Sequence, residues 1–238
     1  MRFPSPTSRQ LIRAIIGING LMFLACLIFS GRNTDFSINP FTALSPSTNT
    51  LIFMGATGTI PINHYQEWWS LITASWLHGS LLHIIFNMTA LVQIGHLVMG
   101  AYGLHRMFII YTLSGIAGFY LSYIAGVSVT IGASASICGL IGATLYFGKT
   151  RGGAFGQAVY KQTMGWVFSL IIFGLAIPSI NNWGHGGGLI AGIGLGWLLG
   201  YHETRQETGW HYLGSMLLMA MTILLLLWVI ISAIYLNL

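Results

Sequence analysis

Long stretches of this chain carry no charge and show no polar alternation, and shorter polar or proline-bearing stretches separate them. An apolar run of roughly 17–25 residues is long enough to cross the hydrocarbon core of a bilayer as a helix. On that basis the sequence predicts spans at about 14–31, 79–100, 107–125, 132–148, 162–177, 184–201 and 213–236. The third and fourth lie in one uncharged run, 107–148, too long for one crossing, and Gly126 and Gly132 bracket its break. Pro178 ends the fifth. The predicted fold class is therefore an all-α polytopic membrane protein with seven spans. Between the first two spans lies a long segment, 32–77, holding Arg32, Asp35, Pro40, Pro46 and Pro61. Its later part, Tyr65 to Trp76, contains Trp68, Trp69 and Trp76, and tryptophans favour the headgroup layer, so this piece is predicted to lie in the interface.

Composition agrees with the pattern. Hydrophobic residues make up 55% of the 238 and charged residues only 5%, against roughly 25% charged in a soluble domain. Such a chain cannot cover itself with polar surface, and its surroundings are the lipid bilayer. The net charge of +5 comes from basic residues scattered singly, which make no stripe for nucleic acid. Cys26 and Cys138 both fall in apolar runs, which argues against a disulfide framework. Arg2, Arg9 and Arg13 precede the first run as in a signal peptide, but that run has the length of a full span and no small-residue cleavage site. It is expected to stay as an anchor.

With the N-terminus inside, Arg2, Arg9, Arg13, Arg106, Lys149, Arg151, Lys161 and Arg205 are cytoplasmic and only Arg32 lies outside, so eight of the nine basic residues obey the positive-inside rule. Spans two, four and six then run from outside to inside. His83 and Asn87, Ser134, and His185 consequently arrive at the outer ends of three helices, at one membrane depth. A serine hydroxyl is a poor nucleophile until a base takes its proton, and histidine suits that task near neutral pH. Ser134 and His185 are the candidate nucleophile and base. His83 and Asn87, four residues apart on one helix face, are candidate donors to the oxyanion of an attacked carbonyl, with the Ser134 amide. No Asp or Glu lies in any predicted span, so a dyad rather than a triad is expected.

Packing supports the same pairing. Gly188, Gly192, Gly196 and Gly200 recur every fourth residue and draw a side-chain-free groove along span six, while span four offers Ala135, Gly139 and Ala143 at that spacing. Two rival chemistries are weaker. His78 and His83 are five apart, share no helix face and have no accompanying Glu, so metal binding is not indicated. Cys138, one turn from Ser134, is a conceivable nucleophile, but its depth in an apolar helix keeps a thiol inert.

These residues carry a family resemblance. From about Trp68 to Tyr201 the chain resembles the rhomboid intramembrane serine proteases: Trp76-Leu-His78-Gly-Ser-Leu-Leu-His83-Ile-Ile-Phe-Asn87 resembles their second-span segment, Gly132-Ala-Ser134-Ala sits where they carry Gly-x-Ser-Gly, and Asn182-Trp-Gly-His185-Gly-Gly-Gly-Leu resembles their sixth-span histidine motif. The resemblance implies a rhomboid-like six-helix core, 14–201, that includes the first loop 32–77. A cytoplasmic segment 1–13 precedes it, and a cytoplasmic linker 202–212 and an additional helix 213–238 follow. It implies Ser134 as nucleophile, His185 as base and then acid, His83 and Asn87 at the oxyanion, and His78, Ala135 and Cys138 in support. It implies no cofactor and no metal. The expected substrates are single-span membrane proteins cut in or near their span, and the expected place is a cell membrane, bacterial inner membrane by preference, with the C-terminus outside. Ala135 replaces the family's usual glycine, Cys138 stands where an aromatic residue is frequent, and Ser70 follows Trp69 where Trp-Arg is common. A rhomboid-like protein that binds membrane clients without cutting them is the alternative. A channel or transporter would more naturally show intramembrane carboxylates or broken, repeated helices.

Overall fold

The computed structural model describes residues 6–39 and 41–236; Arg2 and Pro40, both used in the sequence reading, lie outside the described residues. The described residues form seven long helices: α1 (Pro6–Ser30), then, after three short helices α2 (Thr48–Phe53), α3 (Thr59–Tyr65) and α4 (Ser70–Thr73), α5 (Leu81–Tyr102), α6 (Leu104–Ile124), α7 (Ser134–Arg151), α8 (Gly153–Ala176), α9 (Asn182–Leu199) and α10 (Gly209–Tyr235). Among the described residues there is no strand, only the isolated bridges Asp35–Ser45 and Thr57–Thr130. Five of the long helices, α1, α5, α6, α8 and α10, are long and apolar enough to cross a membrane. The other two, α7 and α9, are the shortest of the seven and are diluted by Gly, Ser and Ala. They are also the two that carry Ser134 and His185.

That dilution is the packing device. Helices in lipid gain little from apolar burial against one another and associate where small residues let backbones approach. α7 occupies the middle, against α5, α6, α8 and α9. A Cβ on Gly188 would run into the Ala135 carbonyl, one on Gly192 into the Gly139 backbone, and one on Gly196 would come within 3.2 Å of Ala143 Cα. The three rungs expected from the spacing are thus all in contact. Gly200 is not a fourth: with φ +67 it ends α9 in a left-handed conformation, a backbone role rather than a groove role. A second row lies beside the first, because a Cβ on Gly142 would strike the Leu189 carbonyl.

Three further features depart from the sequence reading. α1 starts at Pro6, so Arg9 and Arg13 are helical instead of preceding the helix. α8 starts at Gly153 instead of about 162, which places Lys161 inside it; the residue is exposed, and a long flexible stem lets one ammonium ride on a helix without ending it. Trp76, assigned to the interface, is 2% exposed and packs edge-on against Tyr111 with ring centroids 6.0 Å apart. Trp68 is 46% exposed and fits the interfacial role, while Trp69 meets Trp228 of α10 edge-on at 4.9 Å. The first loop is also pinned by polar contacts: Ser70 Oγ donates to Thr57 Oγ1 (2.8 Å), Thr73 Oγ1 to the Gly55 carbonyl (2.8 Å), and Thr57 pairs with Thr130.

Candidate active site

Ser134 is the first residue of α7, and the preceding Ala133 offers no side-chain cap. The opening N–H groups of a helix have no partner within it, so an uncapped start leaves donors for an incoming anion. Gly132 turns the chain into this position with φ +118 and donates its N–H to the Ala74 carbonyl (2.9 Å). Any side chain there would also collide with the His83 ring, whose Cε1 and Nε2 lie 2.7 Å from the Cβ position. Glycine is required at 132 for both reasons.

α9 begins with the opposite solution. Asn181 caps it, its Oδ1 accepting from the Gly184 N–H (3.0 Å), while its Nδ2 donates to Ser122 Oγ (2.8 Å) and Thr130 Oγ1 (2.9 Å). One amide side chain therefore ties the start of α9 to α6 and to the loop entering α7. The next residue, Asn182, donates to the Gly174 carbonyl near the end of α8 (2.8 Å). With both helix starts fixed, His185 Nε2 and Ser134 Oγ stand 2.8 Å apart. If the serine donates to Nε2, the histidine proton resides on Nδ1, and Nδ1 is buried with no protein partner. Among the described residues no carboxylate orients the ring: the arrangement is a pair.

His83 faces the same place from α5. Its Nδ1 accepts the Gly79 N–H (3.3 Å), which places the proton of the neutral ring on Nε2, at the edge that abuts Gly132. Asn87 is 6% exposed and spends one amide hydrogen on the His83 carbonyl (2.8 Å), leaving the other. His78 is fully buried, its ring edge-on to His83 at 5.0 Å and both its nitrogens without a protein partner. Ala135 is 1% exposed, and its methyl lies by Gly118 and in an apolar cluster with Ile62, Leu71, Ala74 and Phe119. Cys138 is a buried free thiol.

A cavity of about 320 Å³ opens between α8 and α9, walled by Val167, Leu170, Ile171, Leu175, Asn182, His185, Gly186 and Leu189. It reaches the base but not the serine. In the first loop, burial pushes the Glu67 carboxyl up to about 7, and its Oε2 has no partner. Among the described residues no three His, Cys, Asp or Glu side chains gather as a metal site. Sequence reasoning missed Asn181; an Asn immediately before the first turn of an apolar helix is a readable N-cap signal.

Fold and site together define a polytopic helical membrane protein with a serine–histidine pair at one end of its bundle. The Rhomboid domain matches residues 65–202, and the chain belongs to the rhomboid family. It is 34% identical over 179 residues to "RHOMBOID-like protein 6, mitochondrial" of Arabidopsis thaliana (72% of this chain, 55% of that one) and 34% over 184 residues to "Rhomboid protease GluP" of Bacillus subtilis (75% and 35%). A relative named "Inactive RHOMBOID-like protein 8", also from Arabidopsis thaliana, is 29% identical over 166 residues (68% and 46%). The chain spans between about a third and somewhat over half the length of these relatives.

Proposed function

We propose that this protein is an intramembrane serine endopeptidase that cuts single-span membrane proteins in or near their span. The observation that carries the reading is the 2.8 Å approach of Ser134 Oγ to His185 Nε2, beside the uncapped start of α7. Ser134 Oγ attacks the scissile carbonyl as its proton passes to His185 Nε2. The oxyanion takes hydrogen bonds from the Ser134 N–H, His83 Nε2–H and the free amide hydrogen of Asn87. His185 then protonates the leaving amine, and water, deprotonated by His185, releases the acyl group from Ser134. Orientation is part of the proposal: the end holding Arg106, Arg151 and Arg205 faces the cytoplasm and the site end faces outward, in a cell membrane with the C-terminus outside.

A serine-reactive fluorophosphonate probe on the reconstituted protein, paired with cleavage of a model single-span substrate, tests the reading. Labelling and cleavage should occur in the parent and in Cys138→Ala and vanish in Ser134→Ala and His185→Ala. Cleavage that survives Ser134→Ala overturns the mechanism. A folded parent that neither labels nor cleaves favours client binding without proteolysis; one relative carries the word inactive in its name.

A further inference from the structure

At the end of the bundle opposite the serine, α1 crosses α5 at Gly95, where a Cβ would stand 3.1 Å from Ile12 Cδ1. Beside that crossing is a second cavity, of about 300 Å³, lined by Arg9, Ile12, Arg13, Ile16, Val92 and His96. Arg9 and Arg13 are one turn apart on one face of α1, and both are exposed. Neither pairs with a carboxylate among the described residues. Of the four acidic residues, Glu203 pairs with Arg151, Glu207 sits with Arg106, Asp35 accepts from the Ser37 N–H, and Glu67 belongs to the first loop. His96 Nδ1 lies 2.7 Å from the Val92 carbonyl, which can only accept, so Nδ1 donates there and Nε2 remains for another partner.

The deepest part of the groove is hydrocarbon. Arg9, Arg13 and His96 lie toward the helix ends, whereas Ile16 is seven residues further along α1 than Arg9, about 10 Å deeper at 1.5 Å per residue. On α5, Val92 is one turn deeper than His96. A soluble anion would use the guanidinium groups and ignore the isoleucine–valine wall; a neutral lipid would do the reverse. Basic pockets between spans suit anionic headgroups. We infer that this groove binds one anionic phospholipid, its phosphate held by Arg9, Arg13 and His96 and an acyl chain laid along Ile12, Ile16 and Val92. The site is independent of the serine chemistry.

Native mass spectrometry of the full chain, released from detergent containing equal phosphatidylglycerol and phosphatidylcholine, tests this, with the thermal unfolding midpoint as a check on folding. The parent should retain one phosphatidylglycerol in preference to phosphatidylcholine. Each basic side chain near a membrane surface is worth about fivefold, so Arg9→Gln/Arg13→Gln should weaken retention roughly twenty- to thirtyfold. Val92→Trp, which fills the groove and keeps both charges, should also lose the lipid, and Arg32→Gln, in the turn after α1, should not. Equal retention of the two lipids by the parent overturns the inference. So does phosphatidylglycerol that stays bound in Val92→Trp, or inorganic phosphate that displaces it, since either would mean a headgroup contact without an acyl site.

Discussion

Asn87 shows how little slack the site has at the scale of single residues. One of its two amide hydrogens is committed to the His83 carbonyl, so only one is left for the oxyanion role proposed for it. That commitment also fixes the amide plane, so the remaining donor is held in place before any substrate arrives. Removing one such donor typically costs about 10²–10³ in kcat. Asn87→Ala should lower kcat by about a hundredfold with a small change in KM; a variant that cuts at the parental rate would remove Asn87 from the mechanism. The sequence named Ser134, His185, His83 and Asn87 as candidates because residue type restricts chemistry: polar groups in apolar helices are costly and have few reasons to recur there. The tautomer of His83 was not legible. It depends on the Gly79 N–H, a backbone donor that no side-chain pattern records. Nor does the pattern show that the Ala135 methyl packs by Gly118.

Between helices, glycines on one helix carry opposite meanings. Gly192 faces the Gly139 backbone at a separation no Cβ could share, while Gly194, two residues on, has nothing within 4 Å of its Cβ position. Gly192→Ala must push α9 off α7, and overpacking of this kind costs about 1–3 kcal/mol. It should lower the unfolding midpoint and, by moving His185 from Ser134, slow probe labelling. Gly194→Ala meets no neighbour and gains helix propensity, up to about 1 kcal/mol, so its midpoint should hold or rise. Equal effects from the two substitutions would mean that the α7–α9 contact is not a close one. A four-residue spacing is visible in sequence, which is why three rungs of this contact could be anticipated there. Spacing does not tell where a helix stops, and Gly200, in register with the row, serves as the terminator of α9. The same limit misplaced the start of α8: an apolar scan ends at Lys161, whereas the helix hydrogen bonds continue back to Gly153.

Across the whole molecule the two ends of the bundle are built differently, and Arg106 marks the contrast. As a sequence feature it is one cytoplasmic cation among eight. In the structure it is completely buried, and it gathers chain segments that are about a hundred residues apart. Its Nη1 donates to the carbonyls of Gly200 (2.6 Å) and Arg205 (2.8 Å) and lies 3.3 Å from that of Leu199, its Nε donates to the Tyr102 carbonyl, and its Nη2 approaches His202 Nδ1 (3.2 Å). The backbone N–H of the same residue donates to Glu207 Oε1 (3.0 Å). The last carbonyls of a helix have no partner within it, and a cation there also meets the negative end of the helix dipole. Arg106 thus finishes α9 at one end as Asn181 starts it at the other, and His185 lies on the helix between them. Lysine cannot replace it, because an ammonium has three donors and no planar fork. Each carbonyl left buried without a partner costs about 1–3 kcal/mol. Arg106→Lys should therefore lower the unfolding midpoint, and Arg106→Leu should lower it further by removing the positive charge beside the Glu207 carboxylate as well. Because Asn181 holds the His185 end of α9 independently, the fraction that remains folded should label with the probe at close to the parental rate. A midpoint unchanged in Arg106→Leu would show that the knot adds nothing to the fold; a parental midpoint with lost labelling would show that the two ends of α9 are coupled more tightly than their separate anchors imply.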